Sequence, residues 1–148
     1  MEENSLYDKK SLREIIGKSA DWNEVAKDCV AFSNAQGGVI DYGIEDDADA
    51  PPADQKVSEE IAINLEKKIS GKTQNVSVHA EIRTHENGGQ YIRLHIVRGT
   101  SSASTTSGKY FTRVSDESRP LTGDDITRLS AEKGYYRWED EESKWSWK

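Results

Sequence analysis

The chain has 148 residues, room for one domain around one core. Charged residues make up 32% and hydrophobic residues 34%, so it is polar yet patterned, and no apolar run approaches the length needed to span a bilayer. The formal charge of −7 argues against a uniformly basic surface that grips a phosphate backbone, but it allows a local basic patch.

The start, MEENSLYDKK, lacks the apolar core of a signal peptide, and residues 1–10 read as an extension ahead of the domain. Asp21-Trp22-Asn23-Glu24 is a capping box, with Asp21 as N-cap and Glu24 reaching back. Trp22, Val25, Ala26, Cys29 and Val30 follow at helical spacing as one buried stripe. Cys29, the single cysteine, lies inside that stripe and reads as an inert thiol in a reducing compartment, hence a cytoplasmic protein. Gly37-Gly38 ends the helix, with Gly37 in the left-handed conformation, and 39–44 reads as a buried strand. The acidic, proline-containing stretch 45–55 is an exposed loop. Ser58 caps a second helix carrying Ile61, Leu65 and Ile69, which Gly71 stops. Val76, Val78, Ala80 and Ile82, then Ile92, Leu94 and Ile96, alternate with polar residues around Asn87-Gly88-Gly89, a strong hairpin signal. A Ser/Thr-rich flexible loop over 99–108, a strand over 109–114 and a short helix capped by Thr122 complete the order. This predicts an α+β or mixed α/β fold, with a largely antiparallel sheet, a hairpin and about three helices. Residues 134–148 form a Trp-rich acidic tail.

Several stretches hint at chemistry. Gly37-Gly38 has the look of a phosphate-binding turn, but the glycines follow a helix and precede a strand. A phosphate there would meet the negative end of the helix dipole, so a tight turn is the better reading. The run from Gly99 to Lys109 lacks Walker spacing, and Tyr110 stands where Ser or Thr is required. Its hydroxyls and amides can still contact phosphates. His79, His85 and His95 lack helical ligand spacing, and no metal or other cofactor is called for. By alternation, His79 and His95 share a hairpin face with Arg83 and Arg93, which is either a solvated sheet face or a basic face for a nucleic acid. Glu45, Asp46 and Asp47 close a strand and read as a solvated turn, with metal binding as the alternative.

Ala31-Phe32-x-Asn34-x-x-Gly37-Gly38, followed by Gly43-Ile44-x-Asp46, resembles the signature of the Schlafen-type AlbA-like domain. The resemblance extends over about residues 11–133, with Lys18 ahead of the helix, the Asn-Gly-Gly hairpin, and Tyr110-Phe111-x-Arg113-Val114 in the family's order. It implies a mixed α/β domain associated with nucleic-acid binding, found in bacterial transcriptional regulators and once labelled a divergent ATP-binding domain. Relatives that cut RNA carry glutamates where this chain has Ser11 and Ile16, so no catalytic residue is assigned. The resemblance points to Lys18, Arg113 and the Ser/Thr loop for phosphate contacts; together with the basic hairpin face this makes Lys18, Arg83, Arg93, Lys109 and Arg113 the candidate contacts. Phe32, Asn34, Gly37, Gly38, Gly43 and Asp46 are the motif's structural residues. A salt bridge from Arg113 to Asp46, Asp116 or Glu117 is the competing role for that arginine. The leading expectation is a non-catalytic module binding DNA or RNA weakly, as a homodimer or within a longer chain, and not at a membrane. The alternatives are a metal-dependent nuclease using Asp46 with Glu14 or Glu45, and a protein-interaction domain using Trp138, Trp145 or Trp147.

Overall fold

The computed structural model describes residues 3–145, and side chains up to residue 134. The expectations placed on Trp138, Trp145 and Trp147 lie outside the described side chains. Strand β1 (Tyr7–Lys10) leads through 3-10 turns at Leu12–Ile15 and Gly17–Ser19 into α1 (Trp22–Asn34), then β2 (Gly38–Tyr42) and α2 (Glu59–Lys72). β3 (Thr73–Gln74), β4 (Val78–Thr84), β5 (Gln90–Ile96), β6 (Ser104–Thr105), β7 (Phe111–Val114) and β8 (Glu117–Pro120) precede α3 (Gly123–Trp145).

The main sheet has the order β1-β2-β5-β4, parallel between β1 and β2 and antiparallel elsewhere. The α+β class, the largely antiparallel sheet, the hairpin and the three helices are as the sequence predicts. Alternation puts Ile40, Tyr42, Ile92, Leu94 and Ile96 on one face, where Val25, Cys29 and Phe32 of α1 and Leu65 and Ile69 of α2 close the core. The expected capping box holds at its first residue, since the Asp21 carboxylate accepts from the Glu24 amide at 3.2 Å.

Several boundaries differ, among them the strands expected over 39–44 and 109–114, which are Gly38–Tyr42 and Phe111–Val114. Residues 7–10, read as an extension, are an edge strand of the main sheet, registered Tyr7 to Val39 and Lys9 to Asp41. Ser58 precedes α2 but makes no side-chain cap bond, and the helix runs past Gly71 to Lys72, because an exposed glycine only weakens a helix. The last helix is long, reaching Trp145. Thr122 does start it, its hydroxyl donating to Asp125 at 2.9 Å. The Ser/Thr-rich stretch carries paired structure of its own. It pairs as β6 with β3, and Thr105 receives the Lys109 amide on its hydroxyl at 3.1 Å and donates its own amide to the Lys109 carbonyl at 2.9 Å.

Candidate nucleic-acid interface

The sheet face turned away from the helices carries Tyr7 and Lys9 on β1, Asp41 on β2, Tyr91, Arg93 and His95 on β5, and His79, Glu81 and Arg83 on β4. Its registers put Glu81, Arg93 and Asp41 in one row across three strands. Arg93 therefore forks onto Asp41, Nε and Nη2 donating at 2.8 and 2.9 Å, while the Tyr7 hydroxyl donates to the same carboxylate at 2.8 Å. The Asp41 bonds raise the already high pKa of Arg93 further. Arg83 lies 3.3 Å from Glu81, and His95 Nε2 lies 2.8 Å from the same oxygen. That His95 bond is the main reason the Glu81 carboxyl is held below its usual value. His79 faces Glu66 at 3.6 Å, and Lys9 donates to the Ala48 carbonyl at 2.6 Å. Arg83 and Arg93 are thus on the expected face, but each has a carboxylate at hand, Arg93 across the strands on Asp41 and Arg83 within β4 on Glu81.

Arg113 is inside the protein, with 1% of its side chain exposed. It donates to Asp8 at 3.2 Å and lies 4.6 Å from the Phe32 ring centroid. Its carboxylate partner is none of the three considered from sequence. Asp8 belongs to the strand that was read as an extension. Ser118 links this pair to α1, accepting from Arg113 at 3.3 Å and donating to Asp28 at 2.7 Å.

The motif residues hold backbone together. Asn34 donates to the carbonyls of Ala103 and Phe111 at 2.9 and 2.8 Å and accepts from the Ala103 amide at 2.7 Å. One buried amide thereby pins the Ser/Thr segment and β7 to the end of α1. Phe32 is fully buried. Gly37 has φ +75°, and a Cβ there would sit 2.7 Å from the Ile96 carbonyl oxygen. At Gly43, φ +120°, it would meet Gln55 at 2.7 Å. At Gly38 it would meet the Leu6 carbonyl at 2.6 Å and the Phe32 ring at 2.7 Å. Asp46 is exposed in the turn after β2.

Lysines, not the predicted arginines, make the free positive surface. A recess of about 460 Å³ lies between the start of α1, the end of α2 and the β6–β7 turn, lined by Lys27, Lys72, Lys109, Thr105, Thr106 and Ser107 among others. Lys72 reaches Asn23 at 3.5 Å, and Lys68, one turn earlier, stands over the Trp22 ring at 5.8 Å. Lys18 is exposed in the turn three residues before Asp21, which lines the recess. Among the described residues, Lys18, Lys68, Lys72 and Lys109 have no carboxylate within ion-pair distance, whereas Lys27 is held by Glu24 at 2.8 Å. Lys109 and Lys18 are among the contacts expected from sequence; Lys68 and Lys72 are not, although their four-residue spacing already puts them on one face of α2.

Among the described residues, the acids named for the nuclease alternative have other neighbours. Glu14 shares its surroundings with Asp28 and Lys10, and burial raises both carboxyl pKa values. Glu45 faces Arg13 at 3.6 Å. Asp46 acts on Glu3, whose carboxyl is pushed up to about 8, first by a hydrogen bond with Asp8 and then by desolvation and the nearby charges. Among the described residues, no three His, Cys, Asp or Glu side chains converge so as to hold a metal ion. No described helix is long and apolar enough to cross a membrane.

The family model described as Schlafen, AlbA_2 matches residues 3–122, so β1 falls inside the matched region. The fold is similar to that of the DIP2311 protein from Corynebacterium diphtheriae, known from a crystal structure, with a TM-score of 0.55 at 17% identity. That similarity covers 79% of this chain and 25% of the other, so this chain spans about a quarter of the length of that protein. No curated protein matches the sequence.

Proposed function

The chain belongs to the Schlafen AlbA_2 family, and from that premise we propose that it is a non-catalytic nucleic-acid-binding module whose phosphate contacts lie in the lysine groove. One observation carries the reading. Lys18, Lys68, Lys72 and Lys109 lack carboxylate partners among the described residues, while Arg83, Arg93 and Arg113 are each spent on one. Ammonium groups beside a hydroxyl turn suit phosphate oxygens, and Trp22 offers an aromatic edge for a base. The net charge of −7 keeps such binding weak and dependent on this one patch. A bacterial transcriptional regulator is the setting we propose, on the family resemblance.

The test is fluorescence anisotropy with single- and double-stranded DNA and RNA across a salt series. Four engaged lysines give a slope of log K against log salt of about −3 on single strands and nearer about −4 on duplex DNA. Lys72→Glu with Lys109→Glu should abolish measurable binding at moderate salt, while Arg83→Glu should change it little. If Arg83→Glu proves the damaging change and the lysine pair is silent, the groove is not the interface.

A further inference from the structure

We propose that the open edge of β4 is a self-association surface, on which β4 of a second copy pairs antiparallel about a twofold axis at Ile82. This goes beyond the nucleic-acid reading and uses none of the groove lysines.

The strand's hydrogen-bond polarity can be read from its ends. Val97 donates to Ser77 at 3.0 Å and His85 to Gly89 at 2.8 Å, so the odd-numbered residues of this strand turn their backbone groups toward β5. Ala80 turns the other way, its amide donating to Glu66 Oε1 at 2.7 Å. By the same alternation, the amides of Ile82 and Thr84 and the carbonyls of Ala80 and Ile82 point to the open edge, and no described residue bonds them. Natural sheets guard such edges with Pro, Lys, bulges or a covering element. The strand VHAEIRT has no Pro or Lys and pairs with β5 without a bulge. Apart from the charges of Glu81 and Arg83, its guard is Glu66, at Ala80. From Ile82 onward the edge is open.

The sequence of β4 is complementary to itself in one register. With Ile82 opposite Ile82 of the second copy, Glu81 stands opposite the other Arg83, and Arg83 opposite the other Glu81. Ile82 faces the edge with its amide, so these flanking positions are non-hydrogen-bonded pairs, with Cα atoms about 4.5 Å apart and side chains in closest reach. Both side chains are on the exposed sheet face, 38% and 45% accessible, and already 3.3 Å apart within one chain. Joining two copies therefore makes an alternating ladder of acid and base. About four new backbone bonds form while Glu66 keeps the Ala80 amide. A register centred on Ala80 would place His79 against Glu81 and displace Glu66. On the helix side, Ile82 shares a groove with Ala62 and with Ile63, which is 52% exposed, and pairing puts the partner's isoleucine beside it. One strand edge buries little area, so the dimer is reversible and concentration-dependent.

Sedimentation equilibrium of the full chain from micromolar to millimolar concentration tests this. The wild type should dimerise reversibly. Arg83→Glu and Glu81→Arg should each weaken association about tenfold by setting like charges opposite each other, and the double swap should restore it. Independently of any variant, amide exchange at Ile82 and Thr84 should slow as protein concentration rises, while Ala80 stays protected throughout. A wild type that remains monomeric, a dimer indifferent to Arg83→Glu, a folded double swap that does not recover, or concentration-independent exchange at both amides would each overturn the proposal.

Discussion

Replacing Arg113 by alanine separates a structural arginine from a phosphate contact. The guanidinium bonds Asp8 at 3.2 Å, Ser118 at 3.3 Å and the Asn4 carbonyl at 3.4 Å, and it covers the Phe32 ring at 4.6 Å. Removing it leaves the Asp8 carboxylate, 2% exposed, without its nearest cation. Breaking a buried pair from one side costs about 3–5 kcal/mol. Lys10, 3.8 Å from the same oxygen, softens the loss, and the expected cost is about 3 kcal/mol. For a domain of this size that lowers Tm by about 10 °C. Urea unfolding followed by far-UV circular dichroism reads it as a shifted midpoint at unchanged slope. Arg113→Met with Asp8→Asn, which removes both charges, should recover much of the loss. A singly substituted protein as stable as the wild type, with its salt slope for nucleic acid reduced by about one, would refute the buried-pair reasoning.

Asn34→Ala removes three hydrogen bonds to Ala103 and Phe111, and should cost about 2–3 kcal/mol while speeding amide exchange at Ala103, with exchange mass spectrometry as the readout. Burial raises the carboxyl pKa of Asp28 in the folded state. The folded value lies above the unfolded one, so its favourable contribution is full below the ordinary carboxylate range and is lost as pH rises through the raised value. Asp28→Asn, which can still accept from Ser118, should therefore stabilise the domain at neutral pH, and the gap in urea midpoints should close on acidification.

Local sequence determined most of the scaffold. The spacing of Val25, Cys29 and Phe32, the alternation through β4 and β5, and the Asn-Gly-Gly turn each specify their element because the period of the pattern is the period of the backbone. The glycines at 37, 38 and 43 belong to the legible motif too; at 37 and 38 a Cβ would strike the backbone of Ile96 and Leu6, and at 43 the φ of +120° favours glycine. Strand β1 was not. Tyr-Asp-Lys-Lys has no apolar alternation, and it is a strand because β2 lies beside it and because Asp41 and Arg113 receive its polar groups. Which cations are free was likewise decided by tertiary structure. Arg93 meets Asp41 and Arg113 meets Asp8 across 52 and 105 residues of chain. Lys72 and Lys109, by contrast, are brought to one recess with no carboxylate partner among the described residues. Charge is a property of composition, but its availability depends on which strands lie side by side, because a carboxylate neutralises only the cation it can touch.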